Sequence, residues 1–343
     1  MALKYPNKSK RAGYWRVYER AKINDFRVIY EELCSIIPHV THPVSHGPKP
    51  VLELWQLYIL CAYCISFDIK LRNLEAECDL LFGRTIDHTN LSRWFSRLDE
   101  KIIDDACEEL HQRMVHRRKI EYVVDSTAFT LTFYEQLMIR GLILLKLVTW
   151  KLHVIVAYLP ALGLLSVAGA YATYGDAHDS PVYRDHLLPS TNMRTDGRIH
   201  GDKAYWSIDN IQQTKSKGLT PNFVPKEGAD GGFVLGTALQ EYDEEARKKF
   251  RGMVEGFFGG IATRQGTKCR FRNHQSKVVF CHAMALAQQV RTYLRFKVLT
   301  LLVLLAPTPV STNIYIQFSG NRAHDNSHRF KRTTEVQAQT VCE

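Results

Sequence analysis

Residues 119–127 read Lys119-Ile120-Glu121-Tyr122-Val123-Val124-Asp125-Ser126-Thr127, and the chain changes character here. Upstream, apolar residues recur at helical spacing. From Glu121 to Val124, β-branched and aromatic residues make a short strand that ends on an acid, Asp125. Residues 198–202 repeat the pattern, a short strand closing on Asp202. If these two strands are neighbours in one sheet, their carboxylates converge.

Working outward, residues 130–150 read as an irregular or partly helical insertion. Residues 151–159 and 164–173 are β-rich runs around a turn at 160–163, which predicts a hairpin. Helices are expected over 180–188 and 206–217, with a short strand at 222–225. A helix over 243–259 carries Glu255 near its C-terminal end, and a long helix fills 275–305. Three antiparallel strands followed by alternating helices and strands describe a mixed α/β sheet.

Upstream, 14–36 and 50–66 have helical periodicity, and the four prolines of 38–50 mark a connection. Residues 72–98 read as two helices around a break at Gly83. Leu74, Cys78, Leu81 and Phe82 share one face of the first. Asp87 or Thr89 can cap the second, which bears Leu91, Trp94, Phe95 and Leu98. Arg93 and Arg97 lie one turn apart on it. The pattern fits a helix-turn-helix that reads DNA, and equally a plain helical hairpin. Residues 99–118 form a further helix. The expected organisation is an all-helical region over 1–118, a sheet domain over 119–305 and a partly disordered tail over 306–343.

The chain has 343 residues, 45% of them hydrophobic and 23% charged, so it can bury a core. Its net charge of +10 points to an anionic partner such as nucleic acid. The excess is concentrated. Residues 1–30 hold eight Lys/Arg against Glu19 and Asp25, interleaved with Tyr5, Tyr14, Trp15 and Tyr18. Residues 246–297 hold twelve Lys/Arg and one acid, Glu255. That acid reads either as the partner of Arg251 at i, i+4 or as a metal-binding carboxylate on a phosphate-binding surface. Both can hold at once.

Other features are structural or absent. Eight cysteines are too few for a disulfide scaffold, and Cys61 and Cys64 lack a second pair at zinc-site spacing. There is no apolar leader and no run of the length that spans a bilayer, so a soluble intracellular protein is expected. No phosphate-binding loop or nucleophile elbow occurs, and no nucleotide cofactor is expected.

Asp125, Asp202 and Glu255 are hard oxygen ligands of the kind that suit Mg²⁺ or Mn²⁺. Two such ions about 3.5–4 Å apart can serve both oxygens of an in-line phosphoryl displacement. The words around them are specific. They are Val-Val-Asp125-Ser-Thr, Trp150-Lys151-Leu152-His153, Gly175-Asp-Ala-His178-Asp179-Ser180, Gly201-Asp202-Lys203-Ala204-Tyr205 and Arg251-Gly-Met-Val-Glu255-Gly-Phe-Phe. In this order, over roughly 119–295, the chain resembles the DDE transposases of bacterial and archaeal insertion sequences.

The resemblance implies an RNase H-like, retroviral-integrase-like catalytic core after a helical region that binds DNA ends. It implies that Asp125, Asp202 and Glu255 are the metal-binding triad, holding two Mg²⁺ or Mn²⁺ ions. Arg251 matches an arginine held near the transposon end, and Lys203 and His178 become candidates for phosphate contact. Some groups of the family carry a Tyr three residues before that Arg and a Lys seven after the Glu. Here these positions are Lys248 and Ala262, and Arg264 or Lys268 is the candidate substitute. Arg270, with Arg93 and Arg97, completes the expected DNA contacts. The implied activity is Mg²⁺-dependent cleavage at terminal inverted repeats followed by strand transfer into target DNA. The implied partners are DNA and a homodimer or higher assembly on it, in a prokaryotic cytoplasm beside the nucleoid. A metal-dependent endonuclease on the same fold, or a non-catalytic DNA-binding derivative, is the alternative.

Overall fold

The computed structural model describes residues 25–42, 50–115, 120–139, 142–159, 162–228, 231–266, 268–269 and 271–305. The aromatic-basic cluster before residue 25, the tail from 306 and Arg270 lie outside the described residues.

Among the described residues, five helices come first: α1 (Phe26–Ile36), α2 (Leu54–Ser66), α3 (Leu71–Phe82), α4 (His88–Phe95) and α5 (Glu100–Met114). Their starts follow from capping. The Asp25 carboxylate accepts from Arg27 N and Val28 N, Asp87 accepts from Thr89 N, and Asp99 from Lys101 N. Each satisfies a backbone donor that the first helical turn leaves without a partner. α3 stops at Gly83, whose φ of 61° is a left-handed conformation that a side chain disfavours. α2 is buried at every position from Leu57 to Ser66, so it runs through the interior of the helical layer. The sequence places Arg97 on the same helix as Arg93. Instead α4 ends at Phe95, and Arg97 N bonds Trp94 O in the following turn.

The sheet has six strands: β1 (Glu121–Ile139), β2 (Leu142–Leu159), β3 (Leu164–Tyr174), β4 (Arg198–Gly201), β5 (Thr220–Phe223) and β6 (Lys268–Cys269). Their order is β3-β2-β1-β4-β5, with β6 also beside β1. β2 is antiparallel to β1 and β3, whereas β4, β5 and β6 continue the sheet in parallel. The sequence-expected mixed α/β sheet is therefore present.

Two expectations fail here. β1 does not end at Asp125, and residues 130–150 are not an irregular insertion. The strand continues to Ile139 and β2 returns from Leu142, paired Phe129↔Trp150, Thr130↔Thr149 and Ile139↔Leu142. Cross-strand pairing supplies what local alternation does not.

After β3 come α6 (Asp179–Val182), a π-helical turn (Tyr183–Leu187) and α7 (Leu188–Ser190). Then follow α8 (Ile208–Ser216), α9 (Phe233–Gln240), α10 (Glu244–Gln265) and α11 (His274–Leu305). The sequence reading has no counterpart to α9. It also ends α10 at Gly259, but the helix runs on to Gln265, so Glu255 is mid-helix.

Two clusters cover the two faces of the sheet. On one face Val123, Phe129, Leu152 and Val154 pack with α10, α11 and the helical layer α1–α5. On the other, Tyr122, Val124, Ile155 and Ile199 meet Tyr183, Leu187, Tyr205 and Ile211. Residues 25–115 thus share one continuous core with the sheet. α11 is the spine between them, buried almost all round from Val279 to Val290. Each large apolar side chain it sequesters contributes about 1.5–3 kcal/mol. Its Gln289 accepts from Val167 N at 2.7 Å and donates to Ser166 Oγ at 2.9 Å, fixing helix to strand. Among the described residues, no helix is long and apolar enough to cross a membrane.

Candidate active site

Strand register brings the first two acids together. Val123 pairs with His200 in the parallel β1–β4 ladder, so two residues further on Asp125 stands level with Asp202. β4 stops at Gly201 while β1 continues, which leaves that edge of β1 open until β6 pairs at Thr130. The acids sit at this notch. Gly201 is required by the packing behind it. A Cβ there would lie 2.9 Å from the rings of both Phe223 and Tyr205.

Asp125 is two residues from Val123 in β1 and so shares its face, toward α10 and the larger core. Its carboxyl accepts from Ser126 N at 2.8 Å. Burial pushes its pKa up to about 6, and the charges of Asp202 and Asp179 add to the rise. The Ser126 hydrogen bond and the Arg251 guanidinium oppose it. Asp202 is exposed and caps the turn Lys203–Tyr205, accepting from Ala204 N at 2.8 Å. Lys203, beside it, is exposed.

The third acid behaves differently. Phe250, Val254 and Phe257 seat α10 on the core, leaving Arg251 and Glu255 on its exposed side. Arg251 Nε contacts Glu255 Oε1 at 3.1 Å, the expected i, i+4 pair. Arg251 is close enough to act on Asp125. However, the oxygens of Asp125, Asp202 and Glu255 are not gathered within 4.8 Å of one another. Among the described residues, only Glu75, Asp87 and His88 meet that condition, and this cluster could bind a metal. Its acids already have local duties, since Glu75 accepts from His88 N at 2.7 Å and Asp87 caps α4.

A second polar group lies on the opposite face of the same strands. Asp179, at the start of α6, meets Lys151 Nζ at 2.9 Å and His153 Nδ1 at 3.1 Å. Hydrogen bonds from His153, Lys151 and Ser126 outweigh burial and hold its pKa down at about 2. His153 Nε2 also bonds Thr173 Oγ1 at 2.7 Å. Lys151, His153 and Asp179 lie in motifs of the sequence that gave them no expected role. The available signal was two polar residues at period two inside an apolar strand.

A third group anchors α10. His200 is 1% exposed, and its Nε2 lies 2.9 Å from Glu121 Oε2. Its other nitrogen is 2.9 Å from Asn222 Nδ2. Asn222 accepts from Asp243 N at 2.8 Å and donates to Asp243 O. Asp243 in turn caps α10 and holds Arg198 at 2.9 Å. The helix bearing Arg251 and Glu255 is thereby tied to β1, β4 and β5.

The expected DNA contacts divide into two sets. His178, Lys203, Arg251, Lys268, Arg93 and Arg97 are exposed. Arg97 covers the Trp94 ring at 4.7 Å. Arg264 is half-buried and donates to Gln288 Oε1 at 3.2 Å, so it is engaged inside the fold. Lys248, where the resemblance expects a Tyr, pairs with Glu244 at 2.9 Å. Cys61 and Cys64 are buried in α2, as expected of core residues.

No protein-family model matches the chain, and no curated protein matches it.

Proposed function

We propose that this protein is a metal-dependent DNA-processing enzyme, a DDE-type transposase with an RNase H-like core. The observation that carries the reading is the β1–β4 register, which sets Asp125 level with Asp202 at an open sheet edge. The antiparallel three-strand half and the parallel β4 and β5 agree with such a core. The resemblance in the words around Asp125, Asp202 and Arg251-x-x-x-Glu255 adds the reaction class.

The residues fit a divalent cation. Burial pushes the Asp125 pKa up, the charges of Asp202 and Asp179 add to the rise, and a cation bound by Asp125 and Asp202 would favour the ionised form. Such an ion, when bound, supplies Lewis-acid activation of a phosphodiester and its attacking oxygen. The chain's own groups do the rest. Arg251, Lys203 and Lys268 present exposed positive charge around the notch to the phosphate backbone. The Glu121–His200–Asn222–Asp243 chain holds α10 so that Arg251 stays beside Asp125. Glu255 would be the third residue to hold the cation, in place of its pairing with Arg251. A homodimer or higher assembly would join two DNA ends.

One observation favours a second reading. The Arg251–Glu255 pair keeps the third acid away from the other two, as a DNA-binding protein without catalysis would tolerate. The test is cleavage of a labelled duplex carrying the DNA end that flanks the gene, with Mg²⁺, with EDTA and with Asp202→Ala. Metal-dependent cutting at the boundary, lost in the variant, supports the enzyme. Joined products with a plasmid target separate a transposase from a plain nuclease. Tight binding without cutting in Mg²⁺ or Mn²⁺ selects the second reading. Cutting that survives Asp202→Ala removes the site assigned here.

A further inference from the structure

The residues that lead from α2 into α3 read Ile69-Lys70-Leu71-Arg72, apolar and cationic in alternation. Ile69 and Leu71 are half-buried and line a cavity of ≈ 340 Å³, whose other walls come from the end of α10 and from Lys268 to Phe271. That volume is at the lower end of the roughly 300–1,000 Å³ range of small-molecule sites. The wall is pre-formed. Ile69 N donates to Cys64 O at 2.9 Å, and Cys64 Sγ donates to Ile69 O at 3.1 Å, so the turn is stapled back onto α2. Lys70, Arg72 and Lys268 stand exposed at the rim. Among the described residues, none of these three side chains has a hydrogen-bond or ion-pair partner. Asp68 is the one carboxylate among the lining residues, and it is already engaged.

The fold uses the apolar wall in part and the three charges not at all. An apolar wall open to a cavity gains from any apolar group that displaces its water. Charge then selects among such groups, because three unbalanced cations attract an anion and repel a cation. A DNA phosphate would use the rim and leave the cavity empty. A neutral apolar molecule would fill the cavity and leave the rim unused. We infer that this cavity binds an organic anion with a compact apolar body, an aliphatic or aromatic acid. Its negative group lies among Lys70, Arg72 and Lys268, and its body packs on Ile69, Leu71 and Phe271. The inference does not rest on the DNA-processing reading. The cavity is walled by the α2–α3 turn on one side and by the end of α10 and β6 on the other. The ligand therefore touches the helical layer and the sheet domain at once, and binding it stabilises the folded chain.

Calorimetry on the full chain compares octanoate and naphthoate with octanol and octylamine, which keep an apolar body and change the head group. One saturable site is expected. At least one of the two acids should fill it about tenfold more tightly than octanol, the order expected of several weak exposed charge contacts acting together. Octylamine should bind more weakly still. Methyl NMR places the ligand, and the shifts on titration should centre on Ile69 and Leu71. Lys70→Glu/Arg72→Glu alters exposed side chains only, so the Tm without ligand should be unchanged while the preference for the acid over octanol disappears. Equal affinity for acid, alcohol and amine would overturn the anion. Methyl shifts centred elsewhere would overturn the cavity. No binding of either acid would overturn the site altogether, and a duplex affinity lowered by the same double variant would then give the rim to a nucleic-acid surface.

Discussion

Asp125 and Asp179 lie on opposite faces of one pair of strands, and although burial raises both pKa values their partners leave them in opposite electrostatic states. Asp179 is met by Lys151, His153 and Ser126, and its pKa is held down at about 2. Burial pushes the Asp125 pKa up to about 6; Asp202 and Asp179 add to the rise, and the Ser126 backbone hydrogen bond and Arg251 offset only part of it. The fold has neutralised one carboxylate with its own cations and left the other under-compensated. A buried charge paired from within is structural, whereas one left wanting positive charge is a place for a ligand to supply it.

The contrast can be tested from the largest effect downward. Asp125 has its folded pKa above the usual 3.8, so its stability contribution is complete below about pH 4 and is lost as pH rises through 6. Asp125→Asn should therefore stabilise the metal-free protein by about 3 kcal/mol at pH 8 and by little at pH 4. Urea melts in EDTA at the two pH values measure this. An unchanged or lowered midpoint at pH 8 would break the contrast. Asp179 has the opposite sign, because its pKa is depressed. Its contribution is present above the usual value and lost as pH falls through 2. Asp179→Asn should destabilise by about 2 kcal/mol at pH 7, partly discounted for solvent, and the loss should shrink below pH 3.

Gly201→Ala sharpens the comparison further. The new methyl meets Phe223, Tyr205 and Val124 at about 3 Å. Overpacking costs roughly 1–3 kcal/mol, offset by ~0.5–1 kcal/mol for replacing glycine in a strand. A net loss of about 1 kcal/mol is expected, and it should displace Asp202 while leaving the Asp179 cluster intact. NMR of the Asp125 and Asp179 carboxyls would show one titration moved and the other unmoved. The smallest effect belongs to Glu255→Gln. An exposed i, i+4 pair is worth about 0.3–0.5 kcal/mol, so the melt should barely change. Cleavage should fall by at least about 100-fold if Glu255 completes the cation site. A variant that cuts at the native rate would remove it from that role.

The legible part of this molecule was local. The starts of the strands that carry Asp125 and precede Asp202, the hairpin after residue 150 and the helices before residue 115 all follow from residue type and spacing. What could not be read depends on partners distant in sequence. Leu142 to Leu147 lacks strict alternation and fits a helix as well as a strand, and pairing with β1 decides the matter. Lys151 and Asp179 meet only because the chain turns back after β3. The helix expected over 243–259 runs on through buried Ile261 to Gln265, and Gly266 follows with a φ of 77°. Glu255 is the instructive case. Spacing licensed both an ion pair with Arg251 and a metal-binding role, and the fold displays the ion pair.

The most direct test of the account is Mn²⁺ binding followed by EPR or calorimetry on the full chain. Asp125→Asn, Asp202→Ala and Glu75→Gln/His88→Ala are compared with the parent. The account predicts Mn²⁺ binding that Asp125→Asn and Asp202→Ala each abolish and that the double change at residues 75 and 88 leaves intact. Binding that survives both aspartate changes and disappears with Glu75 and His88 would place the metal in the helical layer and contradict it.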